Sequence, residues 1–251
     1  MNRLKIAAVV AGVLALGLLV CPRNPQIDAN KLLHRVIAAD QRVSYTATQD
    51  YTCLYRGKTL RSKAKVVHKP GDGRLASLVC RNYIPLVEGQ ERVAGRVAWV
   101  LRLKPKQKRF PWKQLWVDKR TSIVLASRDW SSANTLKRSM KTIGAIQYIS
   151  SSTLPKTVLT PIHAMPVTAP EYIPAGFELV SAERSHLVYS DGLYSISIYI
   201  SKIAEQGTKF AAPRDWGQGL ILIGRTKGRK IVVTADLPPK EIERIAHSIG
   251  R

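Results

Sequence analysis

Acidic residues are scarce in this sequence: 17 Asp and Glu stand against 40 Lys and Arg in 251 residues, a formal net charge of +23. A cationic partner is thereby disfavoured, and the choice falls among nucleic acid, membrane lipid and acidic glycolipid. Histidine is sparse too. His34, His68, His163, His186 and His247 lie scattered, without metal-ligand spacing and with no cysteine beside them, so no metal is expected. There is no G-x-S-x-G elbow and no P-loop. Gly217-Gln218-Gly219 lacks the third glycine and the strand-to-helix setting of a dinucleotide fingerprint. Asp191 and Asp215 stand alone, as turn residues do. No catalytic residue, no cofactor and no enzyme activity are therefore expected. The patterns of RNA-recognition, helix-turn-helix and OB-type modules are also missing, which argues against nucleic acid as the anion.

The chain has only three cysteines, Cys21, Cys53 and Cys80, and a single long apolar run. Arg3 and Lys5 precede that run, Ile6 to Val20, which Cys21 and the polar Pro22-Arg23-Asn24-Pro25 follow. A stretch of about 15 residues suits the core of an export signal and is short of the roughly 20 that cross a bilayer. Leu19 and Val20 specify cleavage poorly, and Val20 stands where a lipidation signal usually has a small residue before Cys21. The expected location is periplasmic or otherwise exported, with residues 6–20 cleaved, retained as an inner-membrane anchor, or lipidated at Cys21. In an oxidising compartment Cys53 and Cys80 could pair, a loop of about 27 residues whose closure stabilises by roughly 3 to 4 kcal/mol. Against pairing, a meander of strands over 44–55, 59–68 and 74–82 sets them about 10 Å apart, whereas a disulfide needs Cα atoms within about 7 Å. The sequence leaves the bridge open.

Periodicity organises the rest. Asp28 can cap a helix from Ala29 to about Gln41 whose apolar face is Leu32, Leu33, Val36 and Ile37. From Val43 the period becomes two: a strand, a turn at Arg56-Gly57-Lys58, and a second strand to His68. Pro70-Gly71-Asp72-Gly73 is a turn. Further strands are expected at 74–82, 95–104, 112–118 and 122–130, a short helix or turn at 133–141, and a last strand at 142–150. Prolines 155, 161, 166 and 170 mark a linker. A second unit follows, with strands near 177–182, 186–189, 194–200, 220–225 and 230–235, and a helix over 240–249 opened by Pro238-Pro239. The expected class is α+β: an antiparallel β domain wrapped on a helix at 26–152, after the leader 1–25, then a linker at 153–170 and a small α+β domain at 171–251. Charge divides unevenly. Residues 1–170 hold 29 Lys and Arg against 8 Asp and Glu, and residues 171–251 hold 11 against 9, so the anionic partner belongs to the first domain.

Three blocks of the second unit resemble the C-terminal domain of the MucB/RseB family: Ile173-Pro174-Ala175-Gly176-Phe177, His186 to Leu193, and Val232 to Pro239 leading into Glu241-Ile242-Glu243-Arg244-Ile245-Ala246. The first domain is similar, more loosely, to that family's other half, a half-open β-barrel of the lipoprotein-carrier type, through Leu115-Trp116-Val117-Asp118 and Thr121 to Ala126. The resemblance implies a non-enzymatic envelope regulator that binds the periplasmic segment of a membrane-anchored anti-sigma factor, shields it from proteolysis, and senses lipid in an apolar concavity. A periplasmic lipid or lipoprotein carrier is the alternative, and oligomerisation is left open. Strong basicity, the cysteine pair and the poor cleavage site depart from the family. For an anionic lipid or glycolipid, Trp99, Leu101 and Leu103 are the expected cavity wall. Lys104, Lys106, Lys108, Arg109 and Lys113 are the expected head-group contacts.

Overall fold

The computed structural model describes residues 27–71, 73–149, 169–183, 185–204, 207–215 and 219–249. The leader with Cys21 and nearly all of the 153–170 linker lie outside these residues. The chain opens with helix α1 (Ala29–Asp40), whose N-terminus is held by Asp28: its carboxylate accepts from the backbone N–H groups of Asn30 and Lys31 at 2.8 and 3.2 Å. Leu32, Leu33 and Val36, the expected face, are buried.

Strands β1 (Ser44–Tyr55) and β2 (Lys58–His68) form the expected hairpin, and its turn places Arg56 and Gly57 at φ 48° and 74°. After it the chain departs from expectation. Residues 74–82 are not a strand but part of helix α2 (Gly73–Asn82), because Leu75, Leu78 and Val79 recur at helical spacing and Leu78 and Val79 are buried by it. The strand follows instead as β3 (Tyr83–Val93), an edge strand that tolerates Pro85 and takes a bulge between Val87 and Gly89. β4 (Arg96–Pro105), β5 (Trp112–Asp118) and β6 (Val124–Trp130) match expectation closely. The stretch 133–141 is no helix: β7 runs unbroken from Leu136 to Ile149 after a turn in which Asn134 sits at φ 58°.

These strands make one antiparallel seven-stranded sheet in the order β2-β1-β7-β6-β5-β4-β3, an open curved sheet with α1 and α2 associated with its β3 end. A second antiparallel sheet holds β8 (Glu178–Glu183), β9 (His186–Ser190), β10 (Ser195–Lys202), β13 (Leu220–Thr226) and β14 (Arg229–Ala235), with two-residue strands β11 (Lys209–Phe210) and β12 (Arg214–Asp215) on β13. Helix α3 (Pro239–His247) covers it with Ile242, Ile245 and Ala246. The class is α+β, as expected.

One buried cluster joins the two sheets: Leu32, Leu33, Val79, Trp99, Leu101 and Leu103 belong to the same core as Phe177, Tyr194, Ile196 and Ile245. The junction is closely fitted. Gly192, at φ 102°, lies so near α2 that a Cβ there would sit 2.6 Å from the Val79 nitrogen and 2.8 Å from the Leu75 oxygen.

Candidate functional site

Strand register decides which side chains share a face. The pairs Leu103↔Lys113, Lys113↔Asp129, Asp129↔Arg138, Arg138↔Cys53 and Cys53↔Leu60 put one continuous row across the sheet from β4 to β2. The helices and the second unit cover only part of this face. Trp99, Leu101 and Leu103 lie in the covered part. Leu101 is 0% and Leu103 1% exposed, and both belong to the cluster that holds α1. They border none of the described cavities and pack in the core that α1 and the second unit share.

The uncovered part holds a cavity of about 860 Å³. Its lining is Gln49, Tyr51, Thr52, Cys53, Leu60, Arg61, Ser62, Lys113, Ser127, Asp129, Arg138, Ser139 and Met140 from the first sheet, with Leu193 from the turn after β9. Apolar surface from Tyr51, Leu60, Met140 and Leu193 is interleaved with hydroxyls and charges, a lining suited to an amphiphile. Of the expected head-group contacts only Lys113 is here. Lys104 at the end of β4 and Lys106, Lys108 and Arg109 on the β4–β5 connection are exposed; the connection is tied to α2, where the Lys106 N–H donates to the Asn82 carbonyl at 2.9 Å, and it leans on the second unit, where the Gln107 side-chain amide donates to the Ala175 carbonyl and Phe110 meets Phe177.

Cavity and junction share a charge network. Lys113 lies 3.0 Å from one Asp129 carboxylate oxygen, and the Arg138 Nε donates to the other at 3.1 Å. Arg138 also donates to Asp236 of the second unit at 2.9 Å, so one guanidinium lines the cavity and bridges the units. Burial raises the Asp236 carboxyl above its ordinary value, and Arg138 opposes that. Nearby, the Tyr83 hydroxyl donates to Asp191 at 2.6 Å, Asn82 donates to the carbonyls of Gly176 and Asp191, and the Tyr194 hydroxyl donates to the Trp112 carbonyl. Burial raises Asp191, while the bond from Tyr83 and the backbone N–H groups of Leu193 and Tyr194 lower it. Burial and Asp191 together push the Tyr83 hydroxyl far up. Asp191 is thus a junction anchor as well as a turn residue. Its partner Tyr83 lies 108 positions away, and no sequence pattern joins the two.

Cys53 borders the cavity and Cys80 packs from α2 against the core; both are free thiols. The meander geometry that set them two strands apart falls with the reassignment of 74–82 to a helix. Among the described residues no group of three or more His, Cys, Asp or Glu could hold a metal ion, and no helix is long and apolar enough to cross a membrane.

Comparison with known proteins gives concordant results. The family model of the MucB/RseB N-terminal domain matches residues 33–158, and that of the MucB/RseB C-terminal domain matches residues 168–250. No curated protein matches the chain in sequence. Among solved structures, the complex of Pseudomonas aeruginosa MucA and MucB is similar with a TM-score of 0.65 at 20% identity, over 89% of this chain and 98% of that one. A crystal structure of MucB in complex with MucA(peri) is similar with a TM-score of 0.62 at 22% identity, over 88% and 98%. MucB crystallised alone is similar with a TM-score of 0.56 at 21% identity, over 88% and 97%.

Proposed function

Because this chain belongs to the MucB/RseB family, we propose that it is an exported, non-enzymatic regulator that binds the periplasmic segment of a membrane-anchored anti-sigma factor. The single observation that carries the reading is coverage. Both halves of the family follow one another along nearly the whole chain, and the MucB structures it resembles include complexes with MucA. In this reading residues 26–152 and 171–251 act together, since the Arg138–Asp236 bridge, the Tyr83–Asp191 bond and the shared core fix their relative placement. The exposed cations of the β4–β5 connection stand where a partner spanning both units would meet them. Isothermal titration of the full chain with the periplasmic segment of the anti-sigma factor encoded beside it should give saturable binding. Absence of heat and of co-elution would overturn the reading.

The cavity supports a second, compatible role, the binding of an anionic lipid or glycolipid. Tyr51, Leu60, Met140 and Leu193 would meet the acyl part, and Lys113 and Arg138 the head group. A head-group anion would compete there with Asp129 and Asp236. A lipid or lipoprotein carrier would use the same cavity without the partner. The titration separates the two, because a carrier binds lipid and shows no affinity for the anti-sigma segment.

A further inference from the structure

Little of the excess positive charge is spent on the cavity, where Lys113 and Arg138 are paired with Asp129 and with Asp236 beside it, and Arg61 is the third cation. On the opposite face of the same strands the alternation places Lys63 and Lys65 of β2, Lys141 of β7 and Arg128 of β6, all exposed. Cross-strand register ties them together: Lys63 is opposite Asp50, Asp50 opposite Lys141, and Arg128 opposite Ser139. At about 4.8 Å per strand step these cations span roughly 14 Å across four neighbouring strands. One acid, Asp50, stands among them, and no carboxylate of the described residues lies within 4.0 Å of any of the four cations. Val67 points the same way from β2 and is 52% exposed. Arg128 is held upright by stacking over the Trp116 ring, 4.8 Å from its centroid, while that ring is itself buried.

We propose that this face, on β2, β1, β7 and β6, docks the protein on an anionic phospholipid bilayer. Concentrated Lys and Arg with an exposed aliphatic residue among them match the chemistry of an acidic membrane surface, where cations meet phosphates and apolar tips enter the interface. Single-stranded nucleic acid would call for aromatic rings open to stacking, and the indole on this face is sealed under Arg128. Retained as an anchor or lipidated at Cys21, the leader with its apolar run from Ile6 to Val20 would hold the first domain beside such a surface. The site is separate from the cavity: it recognises an intact bilayer from outside, and it stands whether or not the cavity holds lipid or the partner segment binds.

The test compares the full chain on vesicles of phosphatidylcholine alone with vesicles of phosphatidylcholine mixed with phosphatidylglycerol. The apolar run 6–20 and the cations Arg3 and Lys5 are the same in every variant, so the change in the ratio of the two partition coefficients between variants reports the charged face. Each cation beside an acidic surface contributes roughly a fivefold gain, so K63S/K65S/K141S should lower the ratio about a hundredfold at low salt. The control K202S/K209S/K240S removes the same charge from the second unit. It should leave the ratio within about tenfold, because charges farther than a Debye length of about 8 Å from the bilayer are screened. On wild type, mixed vesicles should protect Lys63, Lys65 and Lys141 from acetylation and leave Lys202, Lys209 and Lys240 reactive, a readout that needs no variant. Equal losses from the two triple variants, unprotected β2 lysines on bound protein, or tighter binding to a single-stranded oligonucleotide than to mixed vesicles would overturn the proposal.

Discussion

The two halves of one sheet face in the first domain are built from different strands of the same sheet and do opposite work. Toward β3 the face carries Trp99, Leu101, Leu103, Leu115 and Val117, and α1 and the second unit seal it. Toward β2 it carries Gln49, Tyr51, Ser127, Asp129, Arg138 and Met140 and stays open over about 860 Å³. The switch falls at Lys113, one register step from Leu103. Covered apolar positions hold the units together, and the mixed positions beyond them are left for a ligand.

The largest expected effect comes from the sealed half. Leu101→Ala leaves a cavity with nothing to fill it and should cost about 2 to 5 kcal/mol, read as a lower midpoint in urea. If it costs nothing while lipid binding falls, the two halves have been assigned the wrong way round. Next is Gly192→Ala, which meets both a positive φ and the backbone of α2. A loss of about 1 to 3 kcal/mol should appear together with faster hydrogen exchange in α2 and in the turn after β9. Asp129→Ala removes the carboxylate between Lys113 and Arg138 and should cost about 1 to 3 kcal/mol, less at high salt because Arg138 is 33% exposed.

The smallest of these effects is a pH dependence of the junction. Asp191 and Asp236 both have carboxyls raised by burial, so the folded state holds their protons more tightly than the unfolded state does. Their contribution is then fully present below the ordinary carboxyl value of 3.8 and is lost as pH rises through the raised values. Relative to D191N/D236N, wild type should lose thermal stability as pH climbs from that value toward neutral. A difference that grows in the opposite sense would contradict the burial of these two groups.

Much of this comparison was legible in the sequence, and what was not has identifiable causes. The cap at Asp28, the Arg56-Gly57-Lys58 turn, the alternation from Tyr194 to Ile200 and the start of α3 at Pro238-Pro239 are local signals, and the structure follows them. Residues 74–82 failed because a short apolar run with Leu75, Leu78 and Val79 fits either period, and length did not arbitrate. β3 was hidden by Pro85 and Gly89, which an edge strand and a bulge accommodate. The first half of β7 was hidden because a strand between a wet cavity and a basic outer face has no apolar side to alternate. The alternation of β4 placed Trp99, Leu101 and Leu103 correctly on one face. What covers that face comes from residues 29–37 and from Phe177 and Tyr194, contacts no local pattern encodes. Lys113 was found as a basic residue, but its partner Asp129 and the bridge from Arg138 to Asp236 depend on register and on docking of the second unit.

The division of the face is tested most directly by counting lipid on the protein. Native mass spectrometry of the full chain incubated with phosphatidylglycerol should show one bound lipid on wild type. It should show none on Met140→Trp, whose indole enters the open half while the unfolding free energy from urea titration changes by no more than about 0.5 to 1.5 kcal/mol. On the folded fraction of Leu101→Ala the lipid should remain. Lipid retained by Met140→Trp and lost from Leu101→Ala would contradict the account, placing the ligand under α1 rather than in the cavity.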